Sequence, residues 1–173
     1  MTEHDGQRFD RLPATDADRT DPDRPTREEV LEWWEDRFDI DQSVFADFSF
    51  WERGRGKIWI TRGDAPDPIA IEGLGMTFLR TRSEYWKPTT DAVQRFGHLA
   101  SKNVITLSAG EAAAFISGYD QNLDWDGDWG YLIAAIEIDD ERVLLGVGLY
   151  VHGELQSMIS KGRRRDFDLS KLK

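Results

Sequence analysis

The stretch YLIAAIEIDDERVLLGVGLYVHGELQSMI, residues 131–159, decides the fold class. It breaks into three runs, Tyr131–Ile138, Val143–Val151 and Glu154–Ile159, separated by Asp139-Asp140 and His152-Gly153. Aliphatic and β-branched runs bounded by turn residues read as strands, and two-residue links with Asp or Gly read as tight hairpins. The stretch therefore predicts a three-stranded meander. In its middle strand Val143, Leu145, Val147, Leu149 and Val151 alternate with Leu144, Gly146, Gly148 and Tyr150. That alternation predicts one buried side, and one side where the glycines admit another backbone or a ligand.

Upstream, Ser108 and Glu111 form a capping-box pair ahead of Ala112, Ala113, Phe115 and Ile116, with Gly118 as the stop; this predicts a helix. Val104–Leu107 is a short apolar strand. Pro88 and Thr89–Asp91 open another helix, in which Ala92, Val93, Phe96, Leu99 and Ala100 share a face and Gly97 favours an early end. Met76–Arg80, Ile69–Glu72 and Lys57–Thr61 read as strands, the last two separated by the turn Gly-Asp-Ala-Pro-Asp-Pro over 63–68. Thr26 and Glu29 form a second capping box, and Val30, Leu31, Trp34 and Phe38 then fall on one helical face with Trp33 at its margin.

Residues 1–25 are polar, contain three prolines and show no apolar periodicity, which predicts a disordered acidic tail. The expected organisation is that tail, an N-terminal helix and linker over 26–45, and one domain over 46–173. Several short strands with two to three short helices point to an α+β class, a small mixed β-barrel with helical decorations.

The chain has 173 residues and a net charge of −11, with 14 acidic and 6 basic side chains in residues 1–45 alone. Aspartate outnumbers glutamate 21 to 12 and arginine outnumbers lysine 16 to 6, a balance expected of a protein adapted to molar salt. At about 1 M salt the Debye length is about 3 Å, so overall repulsion is screened and local contacts decide what binds. No apolar run reaches a membrane span, and the polar, acidic N-terminus lacks a signal peptide's pattern, so a cytoplasmic location is expected. There is no cysteine, which excludes disulfides, thiolate metal sites and sulfur nucleophiles.

His4, His98 and His152 are far apart and lack acidic partners at metal-ligand spacing, so neither a catalytic triad nor a zinc site is expected. Asp124, Asp126 and Asp128 alternate like a calcium loop, but its twelfth position is Ala135 rather than glutamate, which favours a solvated turn. Gly73-Leu74-Gly75 is too short for a dinucleotide fingerprint. No catalytic residue, metal or cofactor is expected. Basic residues do cluster. Arg80, Arg82, Lys87, Arg95 and Lys102 form one group with Tyr85 and Trp86 among them, and Lys161-Gly162-Arg163-Arg164-Arg165 forms another. Arginine forks bind phosphate and stack on bases. For Arg80 and Arg95 pairing with surface carboxylates is an equal alternative, as burial is for Tyr85 and Trp86.

The order of several motifs resembles a known family. Gly73-Leu74-Gly75, Phe78-Leu79-Arg80, Lys87-Pro88-Thr89-Thr90, Leu107-Ser108-x-x-Glu111-Ala112 and Gly118 lead into Tyr131-Leu132-Ile133, Leu145-Gly146-Val147-Gly148, Gly153-Glu154-Leu155 and Lys161-Gly162-x-Arg164. Over residues 48–167 this resembles the C-terminal PUA-like RNA-binding domain of Sun-type RNA 5-methylcytosine methyltransferases, and also short stand-alone proteins of salt-loving archaea. The methyltransferase domain of those enzymes needs catalytic cysteines and an S-adenosylmethionine site. The chain has no cysteine and no room for that domain. The resemblance thus implies a non-catalytic protein binding structured RNA (tRNA or rRNA), assisting RNA modification in trans or ribosome biogenesis. It implies contacts at Arg80, Lys87, Thr89, Gly146, Gly148, Lys161 and Arg164. A protein–protein adaptor using Trp33 and Trp34, or a carboxylate and metal enzyme using Asp124, Asp126 and Asp128, are the alternatives.

Overall fold

Thr26 and Glu29 do what their spacing predicts. The Thr26 hydroxyl accepts from the Glu29 amide at 3.0 Å, and the Glu29 carboxylate accepts from the Thr26 amide at 2.9 Å. This capping box starts α1 (Arg27–Phe38), whose Val30, Leu31, Trp34 and Phe38 are buried as the periodicity requires. A computed structural model describes residues 8–160, and the chain divides into two units, Met1–Ala92 and Val93–Lys173.

In the first unit α1 covers one face of a six-stranded sheet. Its strands are β1 (Arg8–Arg11), β2 (Phe48–Arg53), β3 (Lys57–Arg62), β4 (Ile69–Ala70), β5 (Met76–Arg80) and β6 (Lys87–Pro88), in the order β4-β1-β2-β3-β5-β6. Every neighbouring pair is antiparallel. Trp34 stacks on Phe78 of β5 at 4.7 Å between ring centroids, and Phe45 and Phe50 close the cluster. Such ring pairs add to the area they bury and fix how the helix lies on the sheet. Trp33, at the helix margin, is half-buried against Trp34, Phe38 and Trp86. The adaptor alternative expects Trp33 to be exposed, and this packing counts against it.

Within residues 1–25 the described part is not a disordered tail. β1 pairs with β2 and β4, and Phe9 is fully buried, its ring edge-on to Trp59 at 5.2 Å. A single buried aromatic in a polar segment leaves no periodic signature, so the sequence reading missed the strand.

α2 (Thr90–Phe96) begins at the end of the first unit and, in the second, runs into a 3-10 turn at Gly97, the early end expected there. β7 (Val104–Thr106), β8 (Gln121–Asn122), β9 (Gly130–Ile138), β10 (Glu141–Val151) and β11 (Glu154–Ser157) form a second sheet, in the order β7-β9-β10-β11-β8. β7 joins it parallel to β9 and the other pairs are antiparallel. The meander is present, with Asp139, Asp140, His152 and Gly153 all at positive φ in its two tight turns. Ser108 and Glu111 cap α3 (Ala109–Ile116) as expected, and Phe115 and Ile116 pack with Leu132, Ala134 and Leu155. The class is therefore mixed α+β, but its strands make two sheets where the sequence suggested one small barrel. No described helix is long and apolar enough to cross a membrane.

Phe9→Ala should lower unfolding free energy by about 3–5 kcal/mol, as for other buried aromatics. A denaturant titration showing less than about 0.5 kcal/mol, the range for surface sites, would return residues 8–11 to the status of a loose tail.

Candidate functional site

The first sheet carries a row of cations across adjacent strands. Arg53 of β2 lies opposite Lys57 of β3, Lys57 opposite Arg80 of β5, and Arg80 opposite Lys87 of β6. Directly opposed residues in antiparallel strands project from the same face, so all four share one side of the sheet. At about 4.8 Å per strand, Lys57, Arg80 and Lys87 span roughly 10 Å. Burial, and secondarily the charge of Arg80, hold the Lys87 ammonium below the ordinary lysine value.

The hairpin Arg53-Gly54-Arg55-Gly56-Lys57 places more charge beside this row. Arg55, Gly56, Lys57, Arg80, Arg82 and Ser83 line a groove of about 380 Å³. Gly56 has φ +82°, and a Cβ there would stand 2.2 Å from Cγ of Arg82. The Arg82 stem thus lies flat over the glycine. The Gly56 carbonyl accepts from the Thr81 amide at 2.9 Å, and the Gly56 amide donates to the buried Glu52 carboxylate, also at 2.9 Å. Glu52 in turn accepts from Arg24 Nε at 2.8 Å. One buried carboxylate, held by a guanidinium and a backbone amide, therefore fixes the turn that forms the groove floor.

Most other arginines of this unit are occupied. Arg8, Arg11, Arg19, Arg24 and Arg62 pair with carboxylates. Arg53 donates to the Glu72 carbonyl at 2.6 Å and lies over the rings of Phe9 and Trp59. Arg27 donates to the Phe45 carbonyl and lies over Phe50. Lys57, Arg80 and Arg82, by contrast, have no carboxylate within ion-pair distance among the described residues. Arg55 reaches Asp23 at 3.4 Å with both side chains largely exposed, a pairing that is weak in water. Asp21, Asp23 and Glu52 line the adjoining pocket, so an acidic margin borders the groove on that side.

The other residues expected at a binding site have different roles. The Thr89 hydroxyl donates to the Thr77 carbonyl at 2.8 Å and accepts from the Ala92 amide at 3.1 Å, capping the start of α2. Gly146 and Gly148 are buried. A Cβ at Gly148 would stand 2.7 Å from Leu155 and 3.1 Å from Phe115, and one at Gly146 would stand 3.2 Å from Ile159. The glycines admit the protein's own side chains, so they are not a ligand-facing strip. A bulge at Leu145 explains the misreading, because it reverses which residues of β10 face α3.

In the second unit the Arg95 guanidinium lies 5.5 Å over the ring of Phe96. Lys102 pairs with Asp128 at 3.7 Å, and Asn103 is hydrogen-bonded to the same aspartate. Among the described residues no three His, Asp or Glu side chains converge on a point where a metal ion would sit, and Asp124, Asp126 and Asp128 form no such group. Lys161, Arg163, Arg164 and Arg165 lie outside the described residues.

The sequence reading had Arg80, Arg82 and Lys87, and missed Arg55 and Lys57. Their signal was present as alternating basic residues and glycines over 53–57. What was lacking was the strand register that sets Lys57 opposite Arg80.

Residues 1–75 match the model of a family of unknown function, DUF7122. The matched stretch contains Arg55, Gly56 and Lys57 and ends before Arg80. No curated protein matches the chain.

Arg80→Ala should move the titration of Lys87 toward the ordinary lysine value, because a facing like charge disfavours the ammonium. The change should be partial, since burial is the larger cause. An unchanged Lys87 Cε titration by NMR would mean the two cations do not face each other. Gly148→Ala should cost about 1–3 kcal/mol by overpacking; a denaturant curve matching that of the parent would leave its face open to ligands after all.

Proposed function

We propose that this protein binds structured RNA (tRNA or rRNA) through the groove of Lys57, Arg80 and Arg82 together with Lys87, which lies opposite Arg80, and carries out no chemistry of its own. The observation that carries this is the row itself. In a chain of net charge −11, Lys57 and Arg80 stand opposite each other with no carboxylate paired to either among the described residues. Like charges directly opposed across strands are unfavourable, and an anion from outside relieves them. A phosphate backbone supplies several anions at short, regular spacing, and cations aligned on one face meet it without a base-specific code.

The resemblance to the PUA-like domain of Sun-type methyltransferases supports RNA over other polyanions. On this reading the protein keeps the RNA-holding part of such an enzyme and assists a modification enzyme acting in trans, or ribosome assembly. High aspartate and scarce lysine suit a salt-rich setting, where only close, aligned contacts retain value.

The double variant Lys57→Ala with Arg80→Ala tests this. Its affinity for bulk tRNA or rRNA fragments should fall, and the slope of log K against log salt should decrease by about 1 per lost phosphate contact. Near-ultraviolet circular dichroism should show the fold retained. Unchanged affinity and slope in a folded double variant would overturn the assignment.

A further inference from the structure

We infer that the groove takes a single-stranded RNA segment, with one base stacked on Tyr85, in preference to a duplex. This rests on the reading of the groove as a phosphate site and specifies which form of RNA it accepts. Three observations lead to it.

The row is short at both ends. On the β2 side, Arg53 is committed to Glu72 and to the rings of Phe9 and Trp59, so the available charge begins at Lys57. On the other side β6 is the edge strand of the sheet. The roughly 10 Å between Lys57 and Lys87 corresponds to about three phosphates of one stacked strand, which carries a charge about every 3.4 Å of rise. Proteins that read duplex RNA by shape touch two successive minor grooves over about 16 base pairs, a much longer footprint.

The loop between two members of the row carries an exposed aromatic side chain. The loop joining β5 to β6 carries Tyr85 and Trp86. Trp86 is half-buried near Trp33, whereas Tyr85 is 38% exposed, one of the few large apolar side chains in the described residues left so open. The loop is closed at its base by the Arg80–Lys87 pair, so Tyr85 stands two residues from Lys87. Ser83, which lines the groove, donates its hydroxyl proton to the Tyr85 carbonyl at 3.0 Å, tying that part of the loop to the groove wall.

The charge around the groove is lopsided. The groove of about 380 Å³ is cationic along Lys57, Arg80 and Arg82, and the pocket beside it adds the carboxylates of Asp21 and Asp23. Cations along a narrow groove with an aromatic platform beside it form the usual single-strand arrangement, in which the base stacks on the ring and the backbone follows the charge.

The test compares two labelled probes by fluorescence anisotropy, an oligo-uridylate of about eight nucleotides and a blunt RNA duplex of about 16 base pairs. Each is titrated with the full-length protein and with Tyr85→Ala, Tyr85→Phe and Arg80→Ala. The expected result is tighter binding of the single strand, weakened about tenfold by Tyr85→Ala and retained in Tyr85→Phe. Arg80→Ala should weaken both probes. If the duplex binds as well as the single strand, or Tyr85→Ala binds like the parent while Arg80→Ala is impaired, the single-strand inference is overturned and the phosphate groove stands. If Arg80→Ala binds both probes as the parent does, the groove itself is not the RNA site and both readings fall.

Discussion

Electrostatic repulsion across neighbouring strands is the constraint on which the site depends. Lys57, Arg80 and Lys87 are placed by backbone register, at backbone spacings that strand geometry sets. Elsewhere in the same unit a guanidinium meets a carboxylate, a carbonyl or a ring face. The contrast lies within one small sheet, so it does not reflect a general shortage of acid. The chain has acid in excess, yet among the described residues no carboxylate is paired to Lys57 or Arg80. Burial is the larger cause of the lowered Lys87 titration, and the facing charge of Arg80 adds to it.

What holds the row in place is itself buried and charged. Glu52 is almost wholly inaccessible, and its two oxygens are used by Arg24 and by the Gly56 amide. Removing one member of such a pair leaves the other without compensation, so the hairpin, the Arg82 stem lying on Gly56 and the segment bearing Arg24 form one mechanical unit. On the opposite side of the sheet the stacked Trp34–Phe78 pair and its neighbours give the strands a rigid backing. Cations supported in this way would lose little freedom on meeting an anion.

Much of this was legible in the sequence, and the misses have physical causes. Both capping boxes, the helix interrupted at Gly97 and the C-terminal meander follow from local chemistry, and local chemistry is what a linear pattern records. Arg80, Arg82 and Lys87 stood out as clustered charge. Lys57 did not, because its importance comes from pairing with a residue 23 positions away across a strand junction. Phe9 was hidden for a related reason, since it is buried by partners in β2, β3 and β4 rather than by its own segment. Thr89 was noticed for its type and position, yet its hydroxyl is committed to the backbone.

The bulge at Leu145 has a wider meaning for how β10 is read. Before it, Val143 lies opposite Ile136; after it, Gly146 and Gly148 lie opposite Ala134 and Leu132. The extra residue acts as a frameshift in the two-residue period, so odd positions line one side in the first half and even positions line that side in the second. A strand that scans as a single amphipathic ribbon is two half-ribbons of opposite parity, joined so that aliphatic side chains serve both faces of the sheet. The glycines then fall where the ring of Phe115 must descend, and their smallness makes room for the helix.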